Sequence, residues 1–203
     1  MMNASLLNAL TDRLALPSSR AIRVASVLFI TVLTAAAAQV SIPVPFTPVP
    51  FTLQPMIVLL GAAALGSRLG VASQVLYLAA GLAGLPVFAA SPALPHGIAR
   101  LFGPTGGFLL SYPLAAFVTG RLAERGFDRR YATSVAAMAA GLAIIFAGGV
   151  SMLSLQFAPA MGSGALVAAL AAGCYPFIAA DLVKLLIAAS ILPGVWKLVG
   201  RRV

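Results

Sequence analysis

"QFAPAMGSGALVAALAAGCY", residues 156–175, is the stretch on which the reading of the fold turns. It carries no charge and is apolar enough to pass for a membrane helix, yet Pro159, Gly162 and Gly164 interrupt it. It stands between two longer apolar runs, 132–155 and 176–198. Taken as a span, it leaves the two chain ends on opposite sides of a membrane. Taken as a short helix near the outer interface, it leaves them on the same side. Proline removes a backbone donor and glycine weakens a helix interior, so three breakers this close together favour the short helix.

Composition sets the wider frame. Of 203 residues, 61% are hydrophobic and 8% are charged, and the mean hydropathy is +1.05. Soluble domains carry about 25% charged residues, so this chain lacks the polar surface that water demands. Four further apolar runs, about 21–40, 55–67, 70–90 and 105–122, bring the expected spans to six, since roughly 20 apolar residues cross a bilayer as a helix. The second of these is short and needs shelter from its neighbours. The expected organisation is an all-α integral membrane protein, one transmembrane domain over 1–203 with 1–20 as a cytoplasmic amino-terminal segment.

The basic residues test this count. With six spans and the amino end inside, the cytoplasmic segments hold Arg13, Arg20 and Arg23, then Arg68, then Arg121, Arg125, Arg129 and Arg130, and finally Lys197, Arg201 and Arg202. Of the 13 basic residues only Arg100 and Lys184 fall elsewhere. That asymmetry is the positive-inside pattern, with both ends cytoplasmic, and it points to the cell inner membrane. The net charge of +9 is thereby explained by orientation against membrane lipid rather than by a nucleic-acid partner. Arg13, Arg20 and Arg23 ahead of Ala35–Ala38 also fit a cleaved secretory signal, but the further spans favour a retained first helix.

On the outer side this arrangement sets "VPFTPVPFTLQP" (44–55), together with 91–104 and 156–175. Its four prolines fix φ and leave few donors to satisfy, so the loop is stiff. Irregular backbone at membrane depth survives only against protein or a water-lined cavity. A roof over a cavity, carrying Phe46, Phe51 and Thr52, and a plain re-entrant connection both fit.

Three of the four acidic residues, Asp12, Glu124 and Asp128, fall in cytoplasmic segments and read as solvated. Asp181 does not. It shares the last apolar run, "YPFIAADLVKLLIAASIL" (175–192), with Lys184, and the i, i+3 spacing sets both on one helix face. A charge at the bilayer centre costs about 2.5–3.5 kcal/mol, so the pair is either a structural tie or an acceptor and donor lining a cavity for a polar small molecule. Arg100 precedes "LFGPTGG" (101–107), where a helix opens. The arginine with the Gly106 and Gly107 N–H groups makes a candidate carboxylate grip, whereas a phosphate loop would need Gly-Lys-Ser/Thr. One histidine (His96), one cysteine (Cys174) and Gly162-Ser163-Gly164 supply no metal set, disulfide or nucleophile–base pair, so neither an enzyme nor a cofactor is expected. Without a nucleotide motif the chain cannot itself draw on ATP.

"PFTPVPFTLQ" (45–54), "GLAGLPVFA" (81–89), "LFGPTGGFL" (101–109) and "PFIAADLVKLL" (176–186), in this order, resemble the BioY family. These are the biotin-specific substrate-binding (S) subunits of energy-coupling factor (ECF) vitamin transporters. The resemblance implies a six-helix fold, biotin held near the outer face under the first outer loop, a transmembrane coupling (T) protein and two cytoplasmic ATPases. The family's last-helix acid and lysine fall on Asp181 and Lys184, and its glycine motif on Gly103 to Gly107. Its docking pattern of small residues falls on Ala21 and Ala25. For biotin, Asp181 and Lys184 are candidates for the ureido ring, and Phe51, Tyr77, Phe88 and Tyr112 for the apolar bicycle. Arg100, Gly106 and Gly107 are candidates for the carboxylate. The reverse orientation, with Lys184 on the carboxylate, stays open. So do an ion-coupled secondary transporter with Asp181 as the ion site and the same fold serving another vitamin.

Overall fold

The structure, a computed structural model, describes residues 5–13, 20–89, 95 and 97–199. Within them the chain is all-α, in the order α1 (Leu6–Arg13), α2 (Arg20–Gln39), α3 (Gln54–Leu65), α4 (Ser67–Leu82), α5 (Gly106–Glu124), α6 (Tyr131–Met161), α7 (Ala165–Gly173) and α8 (Tyr175–Val199). A hairpin of two-residue strands, β1 (Ser41–Ile42) and β2 (Phe51–Thr52), joins α2 to α3. His96, Arg201 and Arg202 lie outside the described residues.

The stretch 156–175 holds a separate short helix, α7, whose nine residues rise about 14 Å, half the roughly 30 Å of a bilayer core. The break before it comes later than its sequence suggests. Pro159 does not stop α6, which continues to Met161. Proline's own φ is helical and one lost hydrogen bond in a last turn is tolerable. The chain turns at Gly162, where φ is +52°.

The run expected over 70–90 ends early, at Leu82. There Gly84 takes φ +93°, with the Leu85 N–H on the Ala80 carbonyl and the Gly84 N–H on the Gly81 carbonyl. That is a Schellman close, and Pro86 behind it forbids resumption. At the other end of α4 a single residue, Gly66 at φ +84°, separates it from α3. This tight joint needs a glycine, because an L side chain resists that φ.

The short α3 is the centre of the bundle, packed against α2, α4, α5, α6 and α8. Its Val58, Leu59, Ala62 and Ala63 are buried, which answers its need for shelter. α5 and α6 approach closely, since a Cβ at Gly107 would overlap the Gly148 carbonyl of α6.

Two acidic residues expected in solvent are engaged instead. Glu124 caps α4, its Oε1 accepting from the Ser67 N–H (2.7 Å) and hydroxyl (2.8 Å), while Oε2 pairs with Arg121. Four first-turn N–H groups of a helix lack partners, and a carboxylate there meets both the donors and the dipole. Asp128 is buried beneath α8 and accepts a hydrogen bond from the Trp196 indole, with the Arg129 guanidinium 4.9 Å from the Trp196 ring centre. Burial pushes the Asp128 carboxyl above its ordinary value, and its Oδ1 has no partner.

Candidate functional site

α8 starts with Pro176 in its first turn, then presents Phe177, Asp181 and Lys184 at i, i+4 and i+7 along one face. All three are buried, Asp181 with 6% and Lys184 with 8% of its surface exposed. Opposite, Thr105 just ahead of α5 lines up with Phe108, Leu109 and Tyr112 of that helix, and Ile145 and Phe146 of α6 close the side. Val49, Pro50, Thr52, Gln54 and Pro55 from the proline-rich connection complete the wall with Ala89 and Arg100. The space between them, open solvent at its mouth included, is about 580 Å³.

Lys184 pairs with Asp181, donates to the Thr52 carbonyl at 2.7 Å and lies 4.0 Å from the Phe51 ring centre. No other donor reaches the Asp181 carboxylate among the described residues, and its Oδ1 accepts no further hydrogen bond. Arg100 is 2% exposed and is held by two backbone carbonyls, Ala89 at 2.7 Å and Pro95 at 3.4 Å. It has no carboxylate partner among the described residues, and its Nε is unpaired. The Thr105 hydroxyl is likewise buried without a partner. Buried polar atoms are nearly always paired, and the residues that carry these unpaired ones, Asp181, Arg100 and Thr105, all line the cavity. Arg100 and Lys184 against Asp181 give the lining one net positive charge.

The remaining sequence candidates fall behind the wall. Phe51 stacks on Phe177 at 6.4 Å, supporting the face that carries Asp181. Tyr77 and Phe88 pack edge to face at 5.5 Å, with Tyr77 6.4 Å behind Tyr112. The Gly106 N–H is already spent on the Gly103 carbonyl at 2.9 Å, and a Cβ at Gly106 would overlap Leu101. A Cβ at Gly107 would likewise overlap the Gly148 carbonyl, so both glycines sit at close-packed points. Ala21 and Ala25 lie on the exposed face of α2, beside Leu28, Phe29 and Val32.

Gln54 was not singled out by sequence reasoning, yet it lines the cavity, donating to the Tyr77 hydroxyl at 2.6 Å while the Thr52 hydroxyl donates to its Oε1 at 3.3 Å. The Tyr77 hydroxyl in turn donates to the Val87 carbonyl, so the amide is held in one orientation. A lone amide in the apolar run "TLQPMIVLL" was the available signal.

The model of the BioY family matches residues 8–201, nearly the whole chain. The chain belongs to the BioY family. Among the family's relatives, the biotin transporter BioY of Thermotoga maritima is 40% identical over 157 residues, covering 77% of this chain and 86% of that protein. The probable biotin transporter BioY of Pyrococcus horikoshii is 37% identical over 167 residues, covering 81% and 90%. The fold matches the crystal structure of the S-component for biotin from an ECF-type ABC transporter, with a TM-score of 0.73, 24% identity, and coverage of 89% of this chain and 95% of that one.

Proposed function

We propose that this chain captures biotin at the outer face of the cell inner membrane and serves as the substrate-specific subunit of an ECF-type transporter. Uptake then proceeds with a T component and two cytoplasmic ATPases, and this chain catalyses no reaction. In this reading α2, α3, α4, α5, α6 and α8 are the six spans, both chain ends are cytoplasmic, and Ala21 and Ala25 face the T component.

The observation that carries the reading is the buried Asp181–Lys184 pair on one side of the cavity with the unmatched Arg100 on another. Biotin is a monoanion whose ureido ring carries two N–H donors and a carbonyl. Asp181 accepts from the ring N–H groups, Lys184 donates to the ring carbonyl, and Arg100 meets the carboxylate. Phe108, Tyr112, Ile145 and Phe177 wall the sulfur-containing bicycle. The proline-rich connection roofs the cavity, tied down by the Thr47 hydroxyl on the Ala172 carbonyl at the end of α7. A site that pairs every polar group rejects analogues lacking one, so selectivity is high. Equilibrium binding of labelled biotin to the purified, folded chain tests the reading, and failure to bind at micromolar ligand ends it.

A further inference from the structure

We infer that a groove between α2 and α4 binds an anionic phospholipid of the inner leaflet, with the headgroup phosphate on Arg20 and Arg23 and an acyl chain laid between the helices. The groove is walled by Val24, Val27 and Leu28 of α2 and Leu69, Ala72 and Leu76 of α4, and is open along its length. Every wall residue is aliphatic, and Arg20 and Arg23 alone are charged. Their i, i+3 spacing brings both guanidinium groups to the same end of the same face.

Beside the groove the Thr31 hydroxyl donates to the Ser73 carbonyl at 3.0 Å, tying α2 to α4. From Arg20 to Leu28, the part of α2 that lines the groove, the helix rises about 12 Å at 1.5 Å per residue. That lies within one leaflet, half of the roughly 30 Å hydrocarbon core, with both cations at the end where that leaflet's headgroups lie. Glu124, at the end of α5, caps α4 through Ser67 and pairs with Arg121. Arg68, exposed in the first turn of α4, adds a further cation at the same end. Juxtamembrane arginines attract acidic lipid, and here an apolar slot gives that attraction a defined site. The inference needs the chain to lie in a membrane with the start of α2 inside, and it does not depend on the identity of the cavity's ligand.

The test is native mass spectrometry of detergent-purified protein titrated with phosphatidylglycerol or phosphatidylcholine of identical chains. Glycerol 3-phosphate serves as a soluble headgroup, and biotin binding is measured on every sample. The wild type should take up phosphatidylglycerol about tenfold more tightly than phosphatidylcholine. Arg20→Gln/Arg23→Gln should abolish that preference with biotin binding unchanged. Ala72→Trp, or the smaller Ala72→Phe if the first folds poorly, should displace the lipid while leaving both cations in place. Retained preference in the arginine variant overturns the inference, as does glycerol 3-phosphate competing as well as whole lipid. Undiminished lipid binding by the Ala72 variant together with lost T-component assembly would assign the groove to a partner helix and overturn it too. Lipid preference without biotin binding would support the groove and refute only the transport reading.

Discussion

Arg100→Met, read with two ligands, separates the possible orientations of biotin. The substitution keeps an unbranched apolar stem and removes the guanidinium, which lacks a carboxylate partner among the described residues. Two backbone carbonyls, Ala89 and Pro95, lose their donor, which at about 1 kcal/mol per hydrogen bond costs about 2 kcal/mol of stability. The cost to binding is larger. A charge-assisted bond contributes about 1.5–3 kcal/mol, and stranding one partner of a buried pair costs about 3–5 kcal/mol. A loss of 3–4 kcal/mol is expected, two to three decades in Kd. Biotin amide, in which the carboxylate is neutral, should bind the wild type more weakly by a similar factor and be affected less than tenfold by Arg100→Met. Isothermal titration calorimetry on detergent-purified protein, with size-exclusion and thermal melting as controls for folding, gives all four affinities, and their cycle isolates the pair. If Arg100→Met weakens biotin and its amide by the same factor, the arginine does not hold the carboxylate. If Lys184→Met instead removes the difference between the two ligands, the reverse orientation is correct.

Three further outcomes are expected. Asp181→Asn and Lys184→Met should each destabilise by about 3–5 kcal/mol because each strands a buried partner. The double variant should recover most of that stability but not biotin affinity, and biotin binding at wild-type strength by the double variant would remove the pair from the site. Thr47→Val deletes one hydrogen bond to Ala172, worth about 1 kcal/mol, so displacement of labelled biotin should speed up about fivefold with little change in melting. An unchanged release rate would show that the proline-rich connection is no barrier. Burial raises the pKa of Asp128, so its ionised form opposes folding; the penalty is absent below the ordinary carboxylate pKa and grows as pH rises through the raised value. Asp128→Asn keeps an acceptor for Trp196 and should melt higher than wild type at neutral pH and alike in acid, and the opposite order would refute the buried-charge account.

Charged residues were the legible part of the site because the apolar background makes each one costly. Asp181 and Lys184 stand out in an otherwise uncharged run, and Arg100 stands out as the one basic residue assigned to an outer loop. Phe108, Leu109, Ile145 and Phe177 do not, since apolar residues that face lipid, core or cavity look alike when a helix is apolar all round. Glycines were ambiguous for a related reason. Gly106 and Gly107 read as open donors, and the structure shows other contacts for both: Gly148, 41 residues away, abuts Gly107, and the Gly103 carbonyl takes the Gly106 N–H. Glu124 and Asp128 were misread as solvated because their partners, Ser67 and Trp196, are 57 and 68 residues away.

Hydropathy, breakers and the placement of arginines were enough to establish an all-α chain of long apolar helices, a short helix somewhere within 156–175 and the costly Asp181–Lys184 pair, because these follow from local transfer energies and backbone sterics. The packing of α3, α5, α6 and α8 determined which faces meet around the cavity, how Gln54 is held and that Arg100 lies inward on backbone carbonyls. Those facts depend on contacts between residues far apart in the chain, and a sequence without helical amphipathicity carries no signal of which face turns where.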